Sequence, residues 1–400
     1  MRFRERRREL DKNKLLIAGL IGALVFSAAG CAASRRAGAG ALFPEFSLNF
    51  LADFNIPTGA SFGDYDPARF GGLSSLAYEP SSGDCLALSD AKSDHRLYRL
   101  RISVAPGKLE VRPAGILFLR DGEGNAFPDA SLDPEGLALT DDGSFYLSSE
   151  RHGLQKTMPG LFLFGADGKL VRVLRLPEKF LPSEEGGAPR GTRPNASFES
   201  LALAPDEPRL FTAAESALFQ DGEPPTPSRG CLVRLIEYDV SGAEPEPGPE
   251  YAYPLDPVAV PENTGPGRGE NGLVEVLALG GREFLSLERS YFIEDAGLKP
   301  RRSKTRIRIF RFSLEGVEDV SAVPSLGARR DVRAVAKRLV LDLEEIIGLL
   351  TPGFRSLDNF EAMCFGPELK NGRRTLFLMS DNNFSAIQRT AFFAFEVVPR

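Results

Sequence analysis

The sequence contains no tryptophan and only two histidines, His95 and His152, among its 400 residues. A Ser/His/Asp hydrolase is disfavoured, because no GxSxG motif is present and neither histidine has an evident serine partner. The four cysteines form no CxxC pair and no Cys/His cluster, which argues against a zinc site. Cys85, Cys231 and Cys364 are expected to be buried, and one disulfide among them would leave one thiol over.

Acidic residues outnumber basic ones beyond the N-terminus. Residues 1–30 hold seven Arg or Lys and three Asp or Glu, which leaves 42 basic and 52 acidic residues, a net charge of −10, in residues 31–400. This balance argues against nucleic acid as a partner, because binding a phosphate backbone requires basic patches. The acidic excess favours a cation-binding protein, and a solvated acidic surface is the alternative.

The N-terminus has the pattern of a targeting segment. A basic stretch precedes an apolar run, Leu15 to Ala29, of signal-peptide rather than membrane-spanning length. The small residues that follow lead into Cys31. They resemble a bacterial lipoprotein signal, which predicts a lipidated Cys31 and a membrane anchor in the cell envelope, facing the periplasm or the surface. A plain secretory signal cut near Ala29 or Ala33 is the alternative, and both predict export. The predicted division is a signal peptide (1–30), a tether (31–44) and one folded domain (45–400).

A short segment repeats along the chain, and each copy is followed by a second apolar run that ends on an acid. The copies are GLSSLAY (72–78), DPEGLAL (133–139), FESLAL (198–203), VEVLAL (274–279) and FEAMCF (360–365). The acids that end the second runs are Asp90, Glu150, Glu215, Glu288 and Asp381. Each repeat therefore predicts a hairpin whose two strands carry acids at the same end.

The period of the repeat predicts the fold. Copies recur every 61, 64, 76 and 86 residues, and repeats of four strands in such numbers are typical of a β-propeller. We predict an all-β propeller with four-stranded blades, six in number, because the shortest spacing leaves room for a sixth repeat. Its first strand (46–54) and last strand (391–398) are expected to pair and close the ring. A β-sandwich is the alternative, although it would not require a repeated acidic pair.

Equivalent residues of a propeller's innermost strands converge on the central axis. Carboxylates brought together in this way repel one another unless a cation or protons neutralise them. Oxygen ligands without histidine or cysteine favour calcium over zinc or copper. The predicted calcium ligands are Glu135, Glu199, Glu275, Glu361 and Asp381. The predicted catalytic residues, as ligands or general bases, are Glu135, Glu150 and Glu288. The alternative is a structural role, because Arg151 and Arg289 directly follow Glu150 and Glu288 and are potential ion-pair partners.

These segments resemble the phytase-like family described as having esterase-like activity of phytase. The resemblance covers nearly all of residues 45–400. The matching elements include GGLSSLAY (71–78), DPEGLAL (133–139), SSER (148–151), NASFESLAL (195–203), AAESALFQDG (213–222), LSLER (285–289), NFEAM (359–363) and SDNNF (380–384). Ser200, Val276 and Ala362 depart from the small residue expected after the glutamate, and Val276 departs most.

The resemblance implies an exported propeller that hydrolyses a small-molecule ester or phosphate ester with calcium. Arg151 and Arg289, with Lys92, are the phosphate contacts that it suggests. Two other functions remain open: a calcium-dependent esterase or lactonase, and a non-catalytic binding module of the cell envelope with structural acids.

Overall fold

The computed structural model describes residues 44–150, 157–183, 187–295 and 302–400. The predicted signal peptide, Cys31, the tether up to residue 43 and Arg151 lie outside these ranges. The described residues form β-strands joined by turns and three short 3-10 helices, at Glu178–Phe180, Phe219–Asp221 and Leu343–Leu349. None of the helices in the described ranges is long and apolar enough to cross a lipid bilayer.

The strands form five antiparallel sheets, or blades, of four strands each. In chain order they are β1 (Phe46–Pro57), β2 (Leu73–Glu79), β3 (Asp84–Ser89), β4 (Arg96–Ala105), β5 (Lys108–Phe118), β6 (Pro134–Leu139), β7 (Phe145–Ser149), β8 (Gly160–Phe164), β9 (Leu170–Val173), β10 (Phe198–Leu203), β11 (Arg209–Ala214), β12 (Cys231–Asp239), β13 (Glu246–Leu255), β14 (Gly267–Gly280), β15 (Glu283–Glu294), β16 (Ser303–Ser313), β17 (Lys337–Asp342), β18 (Asn359–Glu368), β19 (Arg374–Asp381) and β20 (Arg389–Pro399). Blades 1 to 4 are β2–β5, β6–β9, β10–β13 and β14–β17, and blade 5 is β18–β20 together with β1.

The first strands of the five blades form a closed ring. β2 contacts β6, β6 contacts β10, β10 contacts β14, β14 contacts β18, and β18 contacts β2 again. Four-stranded sheets arranged radially around such a ring define a β-propeller. The prediction of an all-β propeller with four-stranded blades is therefore confirmed.

The predicted number of blades is wrong, because the described residues form five blades and not six. Much of the extra chain length lies in the long connection 314–336 and in the long strands of blade 4, where β14 has 14 residues and β15 has 12. Connections between packed elements are usually much shorter. When blades are counted from the spacing of the repeats alone, insertions of this size are therefore mistaken for an additional blade.

The two ends of the described chain complete one blade. β1 pairs antiparallel with β20 from Phe46↔Pro399 to Pro57↔Arg389. β1 is thus the outermost strand of blade 5, and its pairing with the last strand is confirmed. This pairing gives the final sheet a strand from the opposite end of the sequence.

Phenylalanine supplies the aromatic packing between blades. Phe284 on β15 stacks on Phe312 at 5.2 Å between ring centroids and meets Phe211 of blade 3 edge-on at 4.8 Å. Aromatic pairs at these separations stabilise a core beyond the area that they bury. In a chain without tryptophan, these rings fill the wedge between blades 3 and 4.

A buried charge network holds the connection between β16 and β17 against blade 3. Arg234 on β12 is fully buried, and it donates to both carboxylate oxygens of Asp221 at 2.7 and 2.9 Å and to Glu250 at 2.7 Å. It also donates to the carbonyls of Val320 and Val323 at 3.2 and 2.8 Å. All five N–H groups of the guanidinium are thereby satisfied, which is what a buried arginine requires.

Candidate metal centre at the mouth of the propeller

A β-bulge in the inner strand of each blade turns one side chain out of the strand pairing. The strand pairing skips Glu199 in blade 3 and Glu361 in blade 5, and the corresponding bulges contain Glu135 in blade 2 and Ser74 in blade 1. The extra residue of a bulge is left out of the ladder, and its side chain takes a new direction. Three glutamates are thereby brought to one end of the central channel.

A second carboxylate from each of four blades comes from the end of its second strand. These residues are Asp90, Glu150, Glu215 and Asp381. The backbone N–H of Glu150 donates to the carbonyl of Asp133 at 2.8 Å, and that of Glu215 donates to the carbonyl of Ser197 at 2.6 Å. Because these bonds tie the end of the second strand to the start of the first, both carboxylates of a blade lie at the same height.

These side chains line a cavity of about 710 Å³, named here the acidic mouth. The carboxylates that line it are Asp90, Asp133, Glu135, Glu150, Glu199, Glu215, Glu270, Asp358, Glu361 and Asp381. Among the described residues the cationic side chains on its wall are Lys92 and Arg289. Such an excess of negative charge is unfavourable unless cations or protons enter the mouth.

Two groups of three carboxylates are compact enough to bind one cation each. The first triad is Asp90, Asp133 and Glu135, and the second triad is Glu150, Glu199 and Glu215. Within each triad, one oxygen per residue lies within 4.8 Å of the others. Oxygens that each stand about 2.4 Å from a shared calcium ion are separated by no more than about this distance. Both triads therefore have the spacing of a calcium site.

One carboxylate oxygen of the first triad has no partner in the described part of the protein. Oδ1 of Asp90 is buried and accepts no hydrogen bond there. Gly72, with φ of +60°, lies against it, and a Cβ at this position would stand 2.0 Å from that oxygen. A buried carboxylate oxygen without a donor is costly unless a proton or cation compensates. Asp90 and the all-oxygen donor set therefore fit a hard cation such as calcium.

Arg289 neutralises part of the mouth on its other side. Its guanidinium lies 3.0 Å from Glu215, 3.3 Å from Glu270 and 3.4 Å from Glu361. Asp381 neighbours Glu361 on this side. Of the predicted calcium ligands, Glu135 and Glu199 thus lie in the triads, whereas Glu361 and Asp381 line the mouth beside the arginine.

Blade 4 departs from the register that the sequence repeat predicts. Its bulge leaves Val274 unpaired. Leu273, just before the bulge, pairs with Glu288, and Arg289 is the next residue after that pair. Val274 thus occupies the position that a bulged glutamate has in blades 2, 3 and 5. Arg289 occupies the position of the second carboxylate, so Glu275 and Glu288 each lie one residue away from the predicted place. A slip of one residue turns a strand's side chains to the opposite face, so neither predicted acid of blade 4 reaches the acidic mouth.

Glu275 lies below the mouth, at an apolar cavity of the channel. It is 3% exposed, and its carboxyl accepts hydrogen bonds from the backbone N–H groups of Val276, at 3.0 Å, and Met363. Burial raises the pKa of Glu275 well above its usual value. Glu275 does not line the acidic mouth and belongs to neither triad, so the structure places it outside the predicted ring.

Glu288 joins blade 4 to blade 3. It is fully buried, accepts a hydrogen bond from the Tyr253 hydroxyl at 2.8 Å and pairs with Lys337 and, at 3.4 Å, with Arg308. These partners account for its charge without a substrate or metal. Glu288, predicted as a catalytic residue, therefore lies in a buried ion-pair network and not in the acidic mouth.

The other two predicted catalytic residues lie in the acidic mouth. Glu150 accepts a hydrogen bond from the backbone N–H of Ser197 at 2.7 Å, which fixes its carboxylate between blades 2 and 3. Glu135 belongs to the first triad, and its strongest electrostatic neighbour is Glu199 of the second. Glu135 therefore lies on the border between the two triads.

Burial raises the pKa of the mouth carboxyls. It raises the pKa of Glu215, Glu361 and Asp381 to about 7. In four other acids the pKa lies well above its usual value, with burial as the first cause and a neighbouring carboxylate as the second; these are Asp90, Glu135, Glu150 and Glu199. A mouth without cations therefore retains protons at neutral pH.

The metal-free protein is expected to lose stability between pH 5 and pH 7.5. A carboxyl whose pKa is raised by folding stabilises the folded state below its unfolded pKa, and this contribution is lost as the pH rises through the folded value. With three groups at about 7, each contributes a loss of about 2 kcal/mol over this interval, several kcal/mol in all. Urea unfolding in chelator at the two pH values measures it. A free energy of unfolding that rises over this interval would contradict the raised pKa values.

The sequence repeat does not reveal Asp133, which completes the first triad and pairs with Lys92. Asp133 precedes the inner strand of blade 2, and other residue types stand at that position elsewhere. These are Gly72, Ser197, Gly272 and Asn359. Its position two residues before Glu135 is the sequence feature that could identify Asp133 as a ligand. That feature is informative only when the bulge is known, because the bulge directs both side chains into the acidic mouth.

Comparison with known proteins identifies a family match over most of the chain. The family model Phytase-like, described as "Esterase-like activity of phytase", matches residues 68–384. An "Uncharacterized secreted protein" of Arthroderma benhamiae (strain ATCC MYA-4681 / CBS 112371) is 29% identical over 168 residues, which cover 37% of this chain and 31% of the relative. The match thus spans about a third of that relative's length.

Similar solved structures have low TM-scores. The RRP9 WD40 repeats are 10% identical, with 88% of this chain and 100% of that chain covered and a TM-score of 0.37. Luciferin-regenerating enzyme is 11% identical, with 88% and 95% covered and a TM-score of 0.35. Neither likeness bears on the function of this chain.

Proposed function

Because the chain belongs to the phytase-like family described as esterase-like activity of phytase, we propose that it is an exported, calcium-dependent hydrolase of phosphate monoesters. The observation that carries the proposal is the pair of carboxylate triads in the acidic mouth. Six carboxylates from three neighbouring blades converge there, and among the described residues that line the mouth there is no histidine or cysteine. The family relationship supports ester hydrolysis, and the donor set supports calcium.

The two triads would hold the calcium ions. Bound calcium would neutralise the phosphate and lower the pKa of a water molecule. Glu135, on the border between the triads, is the proposed general base and accepts the proton of the attacking water on a carboxylate oxygen. Glu150 keeps its orientation through the hydrogen bond from Ser197.

Lys92 and Arg289 are the proposed contacts for the phosphate group. They are the cationic side chains that line the acidic mouth in the described ranges, one beside the first triad and one beside the second. Their placement on two sides of the mouth would orient an anion between them. Arg151, the other predicted contact, lies outside the described residues.

A second candidate is the hydrolysis of uncharged esters or lactones by the same site. Lys92 is already paired with Asp133, and Arg289 with Glu215 and Glu361. An uncharged ester would enter this acidic mouth with less repulsion than a phosphate dianion, and it would leave both ion pairs intact. This observation favours testing carboxylate esters beside phosphates.

Export and lipid attachment at Cys31 are also part of the proposal. The relative from Arthroderma is named as a secreted protein, and the N-terminal sequence has the pattern of a lipoprotein signal. Retention of the protein in the detergent phase, lost on Cys31→Ser, would support the anchor.

Adding calcium to chelator-treated protein at pH 7.5 is expected to raise its thermal midpoint and start hydrolysis. Binding to the native state adds stability by mass action, about 2.7 kcal/mol at a concentration 100 times Kd. Elemental analysis, thermal unfolding and release of phosphate from phytate and an aryl phosphate are measured together. Glu110→Gln, which changes a half-buried carboxylate on the outermost strand of blade 1, is the control variant.

The outcomes separate the candidate functions. Turnover of an aryl ester or lactone without phosphate release selects the second candidate. Bound calcium without turnover across both panels selects a binding module, and protein with neither bound metal nor a shifted midpoint rejects the calcium proposal.

A further inference from the structure

Two cysteines from neighbouring blades meet in the core at the seam where the ring closes. Cys85 lies on β3 of blade 1, directly opposite Tyr78 on β2. Cys364 lies on β18 of blade 5, the inner strand that packs against β2. Its thiol contacts the backbone of Tyr78 and the thiol of Cys85. Both cysteines belong to one buried hydrophobic cluster, at 1% and 5% exposure.

We propose that Cys85 and Cys364 form a disulfide that joins blade 1 to blade 5. Both are thiols in this structure. Cys231, the third cysteine of the described ranges, lies on β12 of blade 3, so the geometry selects one of the three possible pairings. The proposal rests on packing at the seam and is independent of calcium and of any activity.

The oxidation needs a partner that accepts two electrons. A small-molecule disulfide such as oxidised glutathione takes them. One S–S bond forms in the protein, one breaks in the oxidant, and two glutathione thiols leave with the two protons. Contact with Cys85 and burial raise the pKa of Cys364 well above the usual thiol value. Because the thiolate is the reacting species, oxidation is expected while the seam is open, during folding, and to be slow in the closed ring.

The crosslink would act on the unfolded chain. It closes a loop from residue 85 to residue 364, which includes most of the domain, and long loops lose the most conformational freedom when they are closed. The expected rise in thermal midpoint is on the order of 5 °C.

Refolding of the full chain with reduced and oxidised glutathione tests the proposal. After blocking of free thiols, digestion with trypsin places Cys85 in peptide 70–92 and Cys364 in peptide 356–370. A crosslinked pair of these peptides is the expected result, together with a thermal midpoint that falls by about 5 °C on reduction. Cys231→Ala is the matched control and should keep both the crosslink and the fall on reduction.

Cys364→Ala should lose the crosslinked peptide and the redox dependence of the midpoint. If this variant does not fold, the peptide map of the wild-type chain decides alone. Recovery of both peptides with blocked thiols after oxidative refolding overturns the proposal, as does a crosslink from either cysteine to Cys31 or Cys231.

Discussion

Replacing Glu135 by glutamine is expected to lower kcat/KM for the hydrolysed ester by about 10²-fold or more. The substitution removes a ligand of the first triad and the proposed general base while it keeps the size of the side chain. Loss of a general base alone costs about 10² to 10⁴ in rate. The same change should weaken calcium binding, which is measured by isothermal titration beside steady-state kinetics at saturating calcium.

Glu275→Gln is the matched control for this experiment. Glu275 is also a buried glutamate on an inner strand, but it lies below the mouth and in neither triad, and burial raises its pKa. An amide of the same size at this position should leave kinetics and calcium affinity within about twofold, because it changes no ligand of either triad. Equal losses in the two variants would show that blade 4 has the register of the sequence repeat.

Replacing Arg234 by alanine is expected to lower the free energy of unfolding by about 3 to 5 kcal/mol. Asp221 and Glu250 would remain buried without their counter-charge, and the carbonyls of Val320 and Val323 would lose their donor. The connection between β16 and β17 should open first. Urea unfolding and limited proteolysis within residues 314–336 measure the two effects.

Arg268→Ala provides the comparison for an exposed pair. Arg268 contacts Asp295 at 2.8 Å, with side chains 68% and 55% exposed, and such pairs contribute less than about 1 kcal/mol. If both arginine variants unfold at the same urea concentration, the Arg234 network does not contribute to stability as proposed. Restoration of stability by apolar replacement of Arg234, Asp221 and Glu250 together would identify the unpaired charges as the cause.

Much of the fold is predictable from the sequence because the repeat records a physical constraint. Inner strands share one environment, so FESLAL, FEAMCF and DPEGLAL reappear wherever a blade begins. The family resemblance, the four-stranded blades and the closure of β1 on β20 are confirmed. The blade number is not, since spacing does not distinguish an insertion from an absent repeat.

The candidate site is less predictable because it depends on single-residue register. VEVLAL (274–279) aligns by composition with FESLAL, yet the bulge of blade 4 falls at Val274. Position along a strand decides which face a side chain takes, and composition does not fix it. Asp133 was missed for a related reason, since only the three-dimensional bulge brings it beside Glu135 and Asp90.

The pairing of β1 with β20 has a kinetic consequence. Blades 1 to 4 are built from consecutive strands, so each can form from local hairpins as soon as its segment of chain is available. Blade 5 must wait for both ends, because Phe46 is opposite Pro399. During synthesis blade 5 therefore stays incomplete until β20 has emerged, and until then β1 has an unpaired edge that is vulnerable to aggregation.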